Sequence, residues 1–319
     1  MKRISLLNLV LLLAVALSAC GPAVTPTSAP LTPIPTSAPT AAPITSVDGL
    51  GRDVTLPAPA LRIVSMTPAN TEILFALGAG SQVVGRDELS DTPAEAKDLP
   101  SIGGSYSAYN FEQIAALQPD LVIAGEINTP EQVKSLEDLN IPVYYLPNPV
   151  ELEDLYTNIL TVGQLIGREA EAAALADSLR ARQQAVMDAV AGAETVSVFY
   201  ELDGSEAAKP WTSGPGTFLD KLVTMAGGVN VAGGLESSWA QMSLEDLLVA
   251  DPDFILLGDA AYGTTPEAVA ERPGWGVLTA VKDNKVIAVD DNLFSRPGPR
   301  MIDGLELLAA TLHPDLFQK

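Results

Sequence analysis

One cysteine, Cys20, and one histidine, His313, are all that this 319-residue chain offers of the two side chains most used to bind transition metals. A lone cysteine excludes an internal disulfide framework, and one histidine is too few for a zinc or manganese centre of several converging ligands. His313 lies near the C-terminus ahead of Pro314 and is expected on the surface. Basic residues are scarce too: 18 Lys and Arg face 40 Asp and Glu, for a formal charge of −22. That balance argues against nucleic acid and against adhesion to anionic lipid, and it suits a basic protein partner. No Gly-x-Ser-x-Gly elbow and no phosphate-cradling Gly-x-x-x-x-Gly-Lys-Ser/Thr loop is present, and a Ser/His/Asp triad would have to recruit His313.

The cysteine sits in a telling place. Lys2 and Arg3 precede an apolar run from Ile4 to Leu17, then Ser18, Ala19 and Cys20. This is the layout of a secretory signal peptide, and the run is short for a bilayer span. Leu17-Ser18-Ala19-Cys20 resembles the bacterial lipobox, whose cysteine is acylated and becomes the mature N-terminus. Residues 1–19 are therefore expected to be removed, leaving the chain exported and anchored through a lipid on Cys20 to the outer face of the cytoplasmic membrane.

From Gly21 to Val47 there is no charge, and seven prolines from Pro22 to Pro43 alternate with Thr, Ser and Ala. Such a segment cannot bury a core and favours extended, solvated backbone, at about 3.1 Å per residue. Residues 20–47 thus read as the lipidated cysteine and a linker. The remainder alternates β-rich runs with helical stretches, as parallel α/β sheets do. Strand candidates are 62–65, 83–85, 121–124 and 143–146, then 196–200, 254–257 and 286–289. A helix is expected over Thr71–Leu77, ending at Gly78.

One piece occurs twice. Asn110 to Asp120 leads into the strand at Leu121, and Ser243 to Asp253 leads into the strand at Phe254, at an offset of 133 (243 − 110). Glu112 matches Glu245, and Pro119-Asp120 matches Pro252-Asp253. In each copy a capping residue starts a short helix with glutamate in its first turn, and proline ends it. Thr71 to Gly80 and Thr217 to Gly228 form a weaker second match. Two related lobes, 48–150 and 194–319, are expected, joined by connecting helices over 151–193. Within these, Arg168 to Ala191 is rich in helix formers and would extend about 34 Å as one backbone helix. The fold class is α/β, with two Rossmann-like lobes on parallel central sheets.

These features resemble the substrate-binding proteins of bacterial ABC importers for ferric siderophores, cobalamin and haem. The segments that carry the likeness are Asp48 to Pro57, Arg62 to Gly78, the two Glu…Pro-Asp pieces, and Thr212-Ser213-Gly214 through Asn230. The resemblance covers about Asp48 to the C-terminus. It implies a binding protein without catalysis or a resident cofactor, a monomer that works with an ABC permease/ATPase complex and takes a metal chelate into a shallow interlobe cleft. It also gives Glu112 and Glu245 a role, pairing one tip of each lobe with permease arginines. Carboxylate–arginine pairs suit that task because they are bidentate and orient the partner. Complementing the helix dipole, worth under about 1 kcal/mol, is the plainer explanation of both glutamates.

Open α/β sheets bind ligands on loops after strands. Candidates in the first lobe are Asn70, Arg86, Tyr106 and Tyr109, and in the second Trp211, Ser213, Trp239, Phe294 and Arg296. Thr67 and Thr212 occupy similar positions. Aromatic rings would stack on a macrocycle or catecholate, and arginines would pair with its oxygens. By resemblance, Tyr106 and Trp239 correspond to cleft aromatics of cobalamin binders and Arg296 to a ligand-facing charge. Two alternatives stand beside this reading. One is a haem receptor with Tyr106, Tyr109 or Met66 as axial ligand; the other, of a different class, is a surface lipoprotein hydrolase.

Overall fold

The structure is a computed structural model that describes residues 42–104 and 107–317. Cys20, most of the linker and Tyr106 lie outside the described residues.

The chain enters through a two-stranded antiparallel ribbon, β1 (Ile44–Val47) and β2 (Asp53–Leu56). The linker expected to run to residue 47 therefore ends earlier, because Ile44–Val47 finds a partner strand. Asp48 sets the turn: its carboxylate accepts from the amides of Leu50 and Arg52 and from the amide of Tyr145, 97 residues away.

The first lobe is built on a four-stranded parallel sheet in the order β4-β3-β5-β6. Its elements are β3 (Ile63–Ser65), α1 (Pro68–Ala76), β4 (Val83–Arg86), α2 (Phe111–Ala116), β5 (Leu121–Gly125), α3 (Pro130–Glu137) and β6 (Val143–Leu146). Helix α1 begins three residues ahead of the expected Thr71. Thr67 accepts from the amide of Asn70 through its hydroxyl, and Pro68 takes the first turn, where its missing N–H costs nothing. Thr71 lies inside the helix, buried and hydrogen-bonded to Ser65 and Ser90.

Two helices cross between the lobes, α4 (Leu152–Ile166) and α5 (Glu169–Val190). Gly167 ends α4 in the left-handed conformation at φ 71° and reverses the chain. At 22 residues α5 spans about 33 Å. It is pinned to the C-terminal helix by Arg182, which reaches Asp303 at 2.6 Å and Glu306 at 2.7 Å.

The second lobe contains β7 (Val196–Asp203), β8 (Trp211–Ser213), α6 (Phe218–Met225), β9 (Gly228–Asn230), β10 (Trp239–Gln241), α7 (Leu244–Ala250), β11 (Phe254–Leu257), β12 (Val286–Ala288) and α8 (Met301–Leu312). Strands β9, β7, β11 and β12 pair in parallel, while β8 and β10 extend the sheet antiparallel at one edge.

Alternation along the strands divides the core in three. Ile63, Leu121, Ile123 and Leu146 of the first sheet share one cluster with Val198, Tyr200, Phe254 and Leu256 of the second. Helices α4, α5 and α8 fill the space between. The opposite faces are closed separately, around Val64, Val122 and Val143 in one lobe and Phe199, Ile255 and Leu257 in the other. Because the lobes share a continuous core, large hinge motion would break apolar contacts worth roughly 25 cal/mol per Å².

The internal repeat is structural. Helices α2 and α7 are capped by Asn110 and Ser243, whose side chains accept from Gln113 and Asp246 amides. Each helix is followed by a non-glycine left-handed residue just before the proline, Gln118 at φ 49° and Asp251 at φ 39°. Asp120 then accepts from the amides of Leu61 and Arg62, and Asp253 from that of Ser197. The Pro-Asp pair thus turns the chain and hooks it to the start of the adjacent strand in both lobes. His313, expected on the surface, is buried at the end of α8 beside Gly227.

Candidate functional site

Loops following the C-terminal ends of the strands enclose a cleft of about 240 Å³ between the lobes. The first lobe contributes Thr67 and Asn70 after β3, Glu126 and Ile127 after β5, and Pro147 and Asn148 after β6. The second contributes Tyr262 after β11, and Asp291, Asn292, Ser295 and Arg296 after β12.

The floor is tightly built. Gly125 lets β5 run close to α1, since a Cβ there would stand 3.0 Å from Thr67. Asn128 accepts from the Gly125 amide at 2.8 Å and donates to the Tyr109 hydroxyl at 2.8 Å. That hydroxyl in turn donates to the Met66 carbonyl at 2.9 Å. Burial, aided by the charges of Asp87 and Glu88, pushes the Tyr109 phenol up to about 12, so it stays protonated and holds the loop. Asn70 faces the cleft, but its amide nitrogen donates to the carbonyls of Ile123 and Ala124, both at 3.1 Å.

A polar chain stands behind the cleft. Ser65, Thr71, Ser90 and Asp87 are buried and linked side chain to side chain. Burial raises the Asp87 carboxyl despite its bonds to Ser90 and to the Leu89 amide. The loop fixed in this way reaches the second lobe. Arg296 donates to Asp91 at 2.7 Å and to the Leu89 carbonyl at 3.2 Å. Burial of Asp91 works against ionisation, but the hydrogen bond and charge of Arg296 outweigh it and lower its pKa. One residue beyond Thr71, Glu72 pairs with Arg300 at 2.7 Å and lies 3.6 Å from Arg296. Two carboxylates of the first lobe therefore clasp two arginines of the second.

At the tips, Glu112 and Glu245 are exposed in the first turns of α2 and α7. Neither has an ion-pair or hydrogen-bond partner among the described residues.

A family model described as periplasmic binding protein matches residues 63–293 of this two-lobed body. The chain belongs to that family. It is 32% identical over 282 residues to an uncharacterised ABC transporter substrate-binding lipoprotein of Bacillus subtilis, covering 86% of this chain and 87% of that one. The crystal structure of the periplasmic vitamin B12-binding protein of Vibrio cholerae is similar at 29% identity and a TM-score of 0.69, over 82% of this chain and 99% of the other. A periplasmic heme-binding protein of Roseiflexus sp. RS-1 is similar at 30% identity and a TM-score of 0.72, over 80% and 98%.

As a periplasmic binding protein of the ABC-importer type, the chain acts outside the cytoplasm, binds a small molecule and serves a permease with its ATPase. Its relatives are binding proteins of transporters, and it is one too rather than an enzyme. No helix among the described residues is long and apolar enough to cross a membrane.

Within this family frame, the residues singled out from sequence separate into groups. Arg296 and Asn70 line the cleft. Trp211 and Trp239 are 44% and 46% exposed on the β8–β10 edge, with Trp239 edge-on to Phe218 at 6.0 Å, and neither forms the cleft wall. Five others are occupied elsewhere. Arg86 donates to the carbonyls of Ala96, Asp87, Glu88 and Lys97, which ties up its guanidinium in the loop. Phe294 is buried 5.8 Å from the Tyr200 ring and belongs to the core. Ser213 is buried against Thr217 at 2.6 Å. Tyr109 supports the floor, and Met66 is fully buried, so neither presents a free axial group to the cleft.

Sequence reasoning missed Tyr262 and Ile127, which face the cleft from opposite lobes at 84% and 63% exposure. Both follow strands that were recognised, and extending the strand-end rule to β5 and β11 would have found them.

Proposed function

We propose that this chain is a lipid-anchored receptor that captures a metal chelate in its interlobe cleft and presents Glu112 and Glu245 to the permease. The duplicated tip carries the reading: two exposed carboxylates, unpartnered among the described residues, stand at matching positions of the two lobes. Each sits in the first turn of its own helix, and its exposure leaves the carboxylate free to meet an arginine of the permease. Relatives named for vitamin B12, for heme and for Fe3+-hydroxamate transport support a tetrapyrrole-sized or siderophore-sized cargo. A volume of about 240 Å³ suits gripping part of such a molecule, since sites that enclose a whole ligand usually run to roughly 300–1,000 Å³. Cys20 and the proline-rich linker would keep the receptor tethered as a monomer within reach of its permease.

The test pairs transport with binding. Glu112→Ala combined with Glu245→Ala should abolish uptake in cells while chelate affinity, read by tryptophan quenching, is retained. Normal uptake by the double variant would remove the docking role. Absence of binding to cobalamin, ferric siderophores and haemin alike would remove the chelate reading.

A further inference from the structure

Three charged side chains among the described residues line the cleft: Glu126, Asp291 and Arg296. The arginine is not available as a free cation. Its guanidinium is held by Asp91 at 2.7 Å and the Leu89 carbonyl at 3.2 Å, with Glu72 a further 3.6 Å contact. Arg300, next along, is taken by Glu72. Glu126 is exposed and has no hydrogen-bond or ion-pair partner among the described residues. Asp291 accepts from the Tyr200 hydroxyl at 2.7 Å. Burial and neighbouring aspartates raise the Tyr200 phenol far above its usual range, so the proton stays on tyrosine. Asp290 adds an exposed carboxylate beside it.

The rest of the lining is neutral. Asn148, Asn292 and Ser295 offer amide and hydroxyl groups, and Ile127 and Tyr262 supply apolar and aromatic surface from opposite sides.

We infer that this cleft selects metal chelates carrying no net negative charge and turns away anionic ones by electrostatic repulsion. The inference rests on the receptor reading and narrows its substrate class. Two carboxylates face the ligand while the one cation is already neutralised. At an effective dielectric of about 20, a carboxylate roughly 10 Å from a ligand charge changes affinity on the order of tenfold.

The experiment titrates the full-length protein in detergent with four chelates: cyanocobalamin (uncharged overall), a cationic ferric trihydroxamate, haemin with its two carboxylates, and a trianionic ferric tris-catecholate. The uncharged or cationic chelates should bind at least a hundredfold more tightly than the trianion at low salt, with the gap shrinking as salt screens the cleft. Glu126→Gln should raise the anionic-to-uncharged affinity ratio about tenfold. Asp91→Asn, which releases Arg296, should move that ratio the same way. A wild-type preference for the trianion or haemin overturns the inference while leaving the receptor reading intact, as does a ratio unmoved in both variants. Failure of all four chelates to bind overturns the receptor reading, and the inference with it.

Discussion

Replacing Glu72 by alanine tests the clasp between the lobes. The Glu72 side chain is 3% exposed and is the carboxylate that neutralises Arg300, whose own side chain is 25% exposed. Removing one partner of a buried ion pair typically costs about 3–5 kcal/mol, because the remaining charge is left desolvated. Two features set the value near the low end. Arg296 keeps Asp91, and Arg300 is open enough for water to reach it. Glu72 also has one buried oxygen, Oε2, without a hydrogen-bond partner among the described residues, so part of its desolvation cost disappears with it. A loss of about 3 kcal/mol follows, or a fall in Tm of about 6–12 °C at roughly 2–4 °C per kcal/mol. Urea unfolding gives the free energy and differential scanning calorimetry the Tm. Glu72→Met combined with Arg300→Met should recover most of the loss, since apolar replacement of both partners removes the orphaned charge. A single variant within 1 kcal/mol of wild type, or a double variant as unstable as the single, would refute the reasoning.

Other expectations follow from particular contacts. Gly163→Ala would set a Cβ 2.4 Å from that of Ala172, where α4 meets α5. Overpacking of about 1–3 kcal/mol should outweigh the helix-propensity gain of up to about 1 kcal/mol, giving net destabilisation in urea. Asp87 has a folded pKa raised above 3.8, so the folded state holds the extra proton and stability falls as pH rises from that value through the raised one. Asp87→Asn should remove that component, leaving a flatter stability–pH profile across this window; parallel profiles would contradict it. Cys20→Ser should shift the chain from the membrane fraction to the soluble exported fraction, and unchanged membrane recovery would count against the lipid anchor.

Sequence determined a good deal of this protein by itself. Alternating apolar runs located the strands, because burial on both faces of a parallel sheet demands near-continuous Val, Ile and Leu. The duplicated Glu…Pro-Asp segment announced two lobes, since cap, proline corner and strand hook are local devices that leave local signatures. The place of Glu112 and Glu245 in a first helical turn was legible from the capping residue ahead of each.

The cleft was less legible. Strand ends pointed to the right loops, but not to which side chain in each loop would face the ligand. Arg86 and Arg296 read alike in sequence, yet one guanidinium is consumed by four carbonyls of its own loop and the other crosses to the opposite lobe. Phe294 and Tyr262 are both aromatic residues near the second lobe's strand ends, and packing buries the first while exposing the second. These outcomes depend on partners far away in the chain: Asp91 lies 205 residues from the arginine it binds. Composition made the protein acidic. Only the tertiary structure decided that its one cleft arginine would be neutralised from across the interlobe gap, because charge balance at a site depends on which residues the fold brings within a few ångströms.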